Sequence, residues 1–430
     1  MKLSVLADGA RVGEFLTGEE GPSFRYAAAW QDRADAFPVS LAMPLSHETA
    51  GPDIAAPWLM NLLPEGEPLR AMTRALGLGT EDIPGLVSAS GRDLAGALSF
   101  QEVGPDAGYI PIEDGEALER IIEELPARPF LVGDEGVAMS LAGAQDKLPL
   151  RFVDGSFFIP VNGAASTHIL KPDNPRLPGS VQNEALCMVL ARHCGLPTAE
   201  VTTGQAGARS YLLVTRYDRV VRRNVGRLHQ EDFCQALGRP PVAKYQHNGT
   251  GRQGVTLADM FTLIREQMTA RDTNRFLEAV IFNTAIGNVD AHAKNYSILL
   301  RPEGPSLAPL YDLMSGLAWA GITENQAQDI GGQRRGQYIF GRHWRRMAQA
   351  AGISETATLR RVEMITAQIL EALPLARAEV AAMPAGDGVL LAEFEAQIAA
   401  LARTVALNLR QEDGPDPADE LPGPGARYDR

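Results

Sequence analysis

Asp290, His292, Lys294 and Asn295 crowd into six residues of Gly287-Asn-Val-Asp-Ala-His-Ala-Lys-Asn295. A second aspartate, Asp312, follows in Leu310-Tyr-Asp-Leu-Met314 after a gap of hairpin length. Transfer of a phosphoryl group to a hydroxyl needs an acceptor for the hydroxyl proton and oxygen ligands for Mg2+. Asp290-x-x-x-x-Asn295 followed by Asp312 supplies both, in the order of the protein-kinase pattern H-R-D-x-x-x-x-N then D-F-G. Asp290 therefore stands where a base would act, and Asn295 and Asp312 where Mg2+ would bind. A lone histidine with no second one at ligand spacing makes His292 a supporting residue rather than a metal ligand.

Three upstream motifs suit the same chemistry. Ser140-Leu-Ala-Gly-Ala-Gln-Asp-Lys147 is a run of small residues just before a strand, where backbone N–H groups can cradle phosphate oxygens and Lys147 can add charge. It is not a Walker A loop. Lys171 ends the strand Thr167-His-Ile-Leu-Lys171 and can reach a polyphosphate as a point charge, with Glu184 on the next helix to hold it. Tyr211-Leu-Leu-Val-Thr-Arg-Tyr-Asp218 leaves the sheet about 40 residues after Lys171, where a hinge between lobes would lie. Singly, each has an ordinary structural explanation: a loop, a snorkelling lysine, a core strand. Their order is what favours phosphoryl transfer.

The elements that must position these groups follow from pattern. Asp8-Gly9 predicts a hairpin within 3–16, and 24–30 reads as a further strand. Segments 53–76 and 115–125 read as helical, and the Gly-, Pro- and Asp-rich 100–114 as a linker. Strands are expected at 147–153, 156–161 and 167–171, a helix at 181–194, and strands near 199–203 and 210–216. From about 228 the chain reads as mostly helical. The predicted class is α+β: a two-lobed protein-kinase-like fold with a small N-terminal β-rich subdomain and a large, mostly helical C-terminal lobe. The expected divisions are 1–110, a nucleotide-binding lobe at 127–225, a catalytic lobe at 226–410 and a disordered polar tail at 411–430.

Composition sets limits. With 45% hydrophobic and 22% charged residues, the chain is an ordinary globular protein. Cys187, Cys194 and Cys234 lie in apolar surroundings with no C-x-x-C pair, so they read as buried thiols of a reducing compartment. No signal peptide or run of 18 apolar residues is evident, and a cytoplasmic protein without a membrane span is expected. A net charge of -13 repels nucleic acid and anionic membrane, so DNA contact would need a basic partner. The basic run 216–223 reads as a solvated face.

Together the motifs resemble the HipA family, the kinase toxins of bacterial type II toxin–antitoxin systems. The resemblance runs from the first hairpin to about residue 320. Besides the motifs above, it includes Asn61-Leu-Leu-Pro64, Gly91-Arg-Asp-Leu-Ala-Gly-Ala97 and Gln230-Glu-Asp-Phe-Cys-Gln235. It implies ATP and Mg2+ as cofactors and Asp290 as the catalytic base, with Asn295 and Asp312 holding the metal. Lys171 would contact the ATP phosphates, and Ala142, Gly143, Ala144, Gln145, Asp146 and Lys147 would cover the nucleotide. Thr215, Arg216 and Tyr217 would form the adenine-contacting hinge, with His292, Lys294 and Tyr311 bordering the site. Ser140 would be autophosphorylated, which expels its loop and silences the kinase. The implied partners are a HipB-like helix-turn-helix antitoxin, operator DNA through that antitoxin, and a protein substrate such as an aminoacyl-tRNA synthetase. Thr215 departs from the glutamate frequent at this hinge position, which puts adenine affinity in question. Two other readings use the same residues: a small-molecule kinase of related fold, and a pseudokinase corepressor, which would be expected to lack a catalytic residue.

Overall fold

Asp8-Gly9 turns the chain between Lys2–Ala7 and Ala10–Gly18, which pair antiparallel with Ala7 opposite Ala10. Both turn residues take positive φ, 46° and 80°, as a two-residue hairpin of this kind requires. Asp154-Gly155 does the same between Leu148–Val153 and Ser156–Val161. These turns belong to a computed structural model that describes residues 2–104, 106–222 and 224–411. Arg223 and all of the expected tail beyond residue 411 lie outside the described residues.

The first hairpin lies in a five-stranded sheet, ordered Thr49–Ala50, Gly21–Tyr26, Ala10–Gly18, Lys2–Ala7, Leu98–Ser99. Phe15 and Phe24 line its inner face, and Phe15 stacks on Trp58 of the helix Pro52–Met60 at 5.8 Å. The strand expected over 24–30 stops at Tyr26. Ala27, Ala28 and Ala29 favour helix, and Ala28–Gln31 forms a single helical turn. The helix expected over 53–76 is two, Pro52–Met60 and Gly66–Leu76. Pro64 interrupts the pattern between them, because its ring excludes the preceding residue from helical geometry.

A six-stranded sheet follows, ordered Val201–Ala206, Arg209–Thr215, His168–Pro172, Leu148–Val153, Ser156–Val161, Gly108–Pro111. The expected linker thus contributes an edge strand, Gly108–Pro111, paired antiparallel with Ser156–Val161. Helix Ser180–His193 is buried on nearly every side, against this sheet and the long helix Glu355–Ala381.

The remaining chain is mostly helical, as expected, and its core gathers around Phe261, Phe276, Phe282 and Trp344. It also holds strands that the pattern did not reveal. His229–Asp232, Ser297–Arg301 and Gly304–Leu307 form a three-stranded sheet, and Asn325–Ile330 pairs with Gln333–Arg335. These strands are short, and an apolar run such as Ile298-Leu-Leu300 fits a buried helix as well as a strand. The architecture is the α+β, two-lobed kinase-like fold, preceded by a β-rich subdomain. All three cysteines are free and buried, and no described helix is long and apolar enough to cross a membrane.

Candidate active site

The loop that carries Asp290 begins where helix Ala270–Ile286 ends. Gly287 closes the helix at φ 72°, and a Cβ there would lie 2.7 Å from the Leu317 side chain, so glycine is required twice over. Asn288 anchors the loop: its amide donates to Asn283 Oδ1 at 2.9 Å, and its Oδ1 accepts from the Asp290 N–H at 3.1 Å. The Asp290 carbonyl accepts from the His292 N–H at 2.7 Å and from Asn295 Nδ2 at 2.8 Å. The backbone on either side of the carboxylate is therefore fixed, while the carboxylate faces the cleft. Burial in the cleft pushes its pKa up to about 6; a hydrogen bond from Tyr245 opposes that and the Asp312 charge reinforces it.

Across the cleft, Lys171 ends its strand with Nζ 2.6 Å from Glu184 Oε1 and 2.5 Å from Asp312 Oδ1. Lys171 and Glu184 are 7% and 1% exposed, so the pair is buried and charge-paired. Burial alone would raise the Asp312 carboxyl, but Lys171 and then Lys147 outweigh it and hold it at about 2. Asp312 is thus a carboxylate at any physiological pH. Its φ is 58°, a left-handed conformation that aspartate tolerates better than most residues. Such backbone strain is often stored where a side chain must be aimed.

The loop of residues 140–147, expected to cover a nucleotide, borders the same space. Lys147 Nζ donates to the Ala142 carbonyl at 2.7 Å, and burial followed by the Lys171 charge lowers its pKa to about 8. The loop is held from outside by the N-terminal subdomain: the Glu65 N–H donates to the Gly143 carbonyl at 3.0 Å, and Ser140 Oγ donates to the Leu62 carbonyl at 3.2 Å. Ser140 is fully buried.

These groups border one cavity of about 380 Å3, a usual size for a small-ligand site. Ala142, Gly143, Ala144, Gln145, Lys147, Lys171, Thr215, Arg216, Tyr217, Asp290, His292, Lys294, Asn295, Tyr311 and Asp312 all line it. Asp146, Glu184 and Ser140 do not. At the hinge, the Thr215 and Arg216 N–H groups are taken by the Glu200 and Thr167 carbonyls, at 2.8 and 3.0 Å. The Tyr217 N–H makes no hydrogen bond among the described residues and is the amide left for a ligand. The Tyr217 and Tyr311 rings face each other at 5.8 Å.

The first half of the basic run, Arg216 to Arg219, is not a solvated face, whereas Arg222 is exposed as expected. The Arg216 guanidinium binds Asp218, Ser166 and the Leu94 carbonyl, and Arg219 binds Asp93 at 2.9 Å. Both arginines are buried, because the N-terminal subdomain covers them and Asp93 and Asp218 neutralise them. Lys294 is likewise engaged: its ammonium donates to Asn61 Oδ1 at 2.7 Å and lies 3.1 Å from Asp232. His292 is neutral, since burial holds its pKa well below the usual imidazole value.

Sequence reasoning missed Lys244, Tyr245 and Asn288, which line the cavity, and the role of Glu65, which accepts from Lys244 at 2.7 Å. Asn61 lay in a motif already singled out. Nothing in the pattern marked Tyr245.

Among the described residues, no group of three or more His, Cys, Asp or Glu side chains is gathered as a metal site. Mg2+ commonly takes one or two protein oxygens and completes its shell with phosphate and water. Asp312 and Asn295 fit that role. Asp312 Oδ2 and Asn295 Oδ1 accept no hydrogen bond among the described residues, and both are hard oxygen donors on the cavity wall.

Comparison with known proteins bears on this geometry. Residues 139–374 match the family model of the HipA-like C-terminal domain, and residues 3–101 that of the HipA N-terminal domain. The chain is 39% identical over 384 residues to a putative kinase, Y4mE, of Sinorhizobium fredii, covering 86% of this chain and 90% of that one. It is 34% identical over 326 residues to the serine/threonine-protein kinase toxin HipA of Shewanella oneidensis, covering 71% and 72%. Among solved structures, it superposes on HipA from the Shewanella oneidensis complex of HipA, HipB and operator DNA with a TM-score of 0.83. That match has 27% identity and covers 93% of this chain and 96% of the other.

Proposed function

The chain belongs to the HipA family, and from that premise we propose that it is an ATP- and Mg2+-dependent protein serine/threonine kinase acting as a cytoplasmic toxin. The observation that carries this reading is the Lys171 ammonium joined to both Glu184 and Asp312, with Asp290 and Asn295 opening on the same cavity. Lys171 and Lys147 supply the cationic end for a polyphosphate, and Tyr217 offers its free N–H to the base. A serine hydroxyl would donate to Asp290, attack the γ-phosphorus and pass its proton to the carboxylate, while the bond to the leaving ADP oxygen breaks. Mg2+ held by Asn295 and Asp312 would neutralise charge on the phosphates. The protein's own share is positioning and a fixed electrostatic frame.

The family supports three finer assignments. The antitoxin would be HipB-like and would carry the chain to operator DNA, as the solved Shewanella complex contains both. The target would be a component of translation such as an aminoacyl-tRNA synthetase. Ser140 would be the autophosphorylation site, and because it is buried under its own loop, phosphate there requires the loop to leave.

Asp290→Asn tests the assignment. Transfer of labelled phosphate from ATP to host protein should fall by more than about 100-fold, while calorimetry finds ATP binding nearly intact. Near-normal transfer in that variant sinks the role of Asp290. Label appearing in metabolites instead of protein would move the chain to the small-molecule kinases.

A further inference from the structure

One side chain outside the nucleotide machinery touches the base. The Tyr245 hydroxyl donates to Asp290 Oδ1. Its backbone is held from two sides. The Lys244 carbonyl accepts from the Ala293 N–H at 3.2 Å, inside the catalytic loop, and from Gln328 Nε2 at 2.9 Å. The Gln246 N–H donates to the Ala327 carbonyl at 3.0 Å. The Tyr245 carbonyl also passes so near Gly254 that a Cβ on that residue would lie 2.0 Å away.

The ring is held as well. It meets the His292 ring edge-on at 5.1 Å and 86°, and the Lys244 ammonium stands 5.4 Å from its centroid. Lys244 is in turn fixed by Glu65. Tyr245 is therefore aimed at Asp290 by groups from the catalytic loop, from the strand Asn325–Ile330 and from the N-terminal subdomain.

A hydroxyl donating to the base is what an acceptor serine must itself become before transfer. In the resting protein that place is taken. Water would otherwise compete for it, being small and far more abundant than any protein serine. If water attacked the γ-phosphorus, the bond to the ADP oxygen would break and the water proton would pass to Asp290 and then to solvent. The products would be ADP and inorganic phosphate, with no acceptor modified.

We propose that Tyr245 guards the base against water: its hydroxyl holds the acceptor's place on Asp290 and yields it to a protein hydroxyl docked in the cleft. The proposal rests on the kinase reading above. It makes Tyr245 a specificity-determining residue that discriminates between a protein alcohol and water.

The test uses the full chain with ATP and Mg2+ and no protein acceptor, reading ADP release. Tyr245→Phe keeps the ring and leaves a gap one hydroxyl wide beside Asp290, which a water can fill. Acceptor-free ATP turnover should rise at least about tenfold, and adding Asp290→Asn to the same chain should abolish the rise. With acceptor present, phosphate transferred to protein per ATP consumed should fall. Calorimetric ATP binding establishes that the variant is folded, and Tyr245→Leu, which also lacks a hydroxyl and leaves room for a water beside Asp290, should repeat the result. The guard is overturned if ATP turnover in these folded variants stays at or below wild type. That is the pattern of a residue that merely positions the base. It is also overturned if phosphopeptide mapping of the wild type finds phosphate on Tyr245, which would make it an acceptor. Asp290-dependent protein phosphorylation with unchanged turnover in Tyr245→Phe removes the guard alone. ATP turnover in wild type that ignores Asp290→Asn removes the kinase reading and the guard with it.

Discussion

Asp290 titrates within reach of an ordinary buffer series, which makes its role measurable. Burial in the cleft sets its pKa at about 6, with Tyr245 opposing and Asp312 reinforcing the rise; Lys244 and Glu65 also face it. A base acts in its ionised form, so activity is full above that value and is lost as pH falls through it. With the pKa at about 6, the ionised fraction is about 0.9 at pH 7 and about 0.1 at pH 5, roughly a tenfold loss of rate. A carboxyl at its ordinary value of about 3.9 would still be about 0.9 ionised at pH 5. The assay is kcat/KM for protein phosphorylation from about pH 4.5 to 8.5, at fixed ionic strength because the flanking charges are screened by salt. Phosphate groups also titrate near about pH 6, so the decisive comparison is with Tyr245→Phe. Removing a hydrogen bond that favours the carboxylate should shift the acidic limb to higher pH, while the nucleotide titrates as before. A profile flat down to pH 5, or limbs that coincide in the two proteins, would refute the assignment of Asp290 as a base tuned by its surroundings.

Two further outcomes follow from buried groups. Ser140→Ala should keep ATP affinity and lose autophosphorylation, whereas Ser140→Asp places a charge against the Leu62 carbonyl and should weaken ATP binding by about tenfold or more. Calorimetry with phosphopeptide mapping reads both, and equal ATP affinity in the two variants counts against the buried-loop account. Asp93 is 1% exposed and faces Arg219, Arg227 and Arg216 at 2.9, 3.3 and 3.6 Å. Asp93→Ala leaves these guanidiniums without their shared anion and should cost about 3–5 kcal/mol, seen as a clear drop in thermal stability. A melting temperature equal to wild type would mean that Asp218 alone neutralises the cluster.

The parts of the fold legible in the sequence were those where local chemistry decides conformation. Asp8-Gly9 and Asp154-Gly155 specify hairpins because their turns need positive φ. The helix Ser180–His193 and the strands at 147–171 follow from uninterrupted apolar pattern. Asp290, Asn295 and Asp312 stood out because phosphoryl transfer needs oxygen groups at short spacing in one order, and the fold brings all three to one cavity. Tertiary contacts accounted for what the pattern missed. Arg216 and Arg219 look like surface charges until Asp93, more than 120 residues earlier, is folded against them. Tyr245 is an unmarked aromatic until the chain brings it beside Asp290, and Gly108–Pro111 became a strand only because Ser156–Val161 offered a free edge.

These misses share a direction, which says something about how the cleft is built. The N-terminal subdomain is not an appendage to a two-lobed kinase. Leu62 and Glu65 hold the nucleotide loop through Ser140 and Gly143, and Asn61 and Glu65 hold Lys294 and Lys244 on the other side of the cavity. Asp93 and Leu94 neutralise and bind the arginines behind the hinge, and Gly96 donates to Asp218. Three walls of one cavity are thus tied to residues 61–96. A free-standing kinase fold would leave Arg216 and Arg219 buried without Asp93, or exposed to solvent with the hinge unsupported. The burial of those charges is costly unless every partner is in place. The hinge, the nucleotide loop and the catalytic loop therefore depend on a common support.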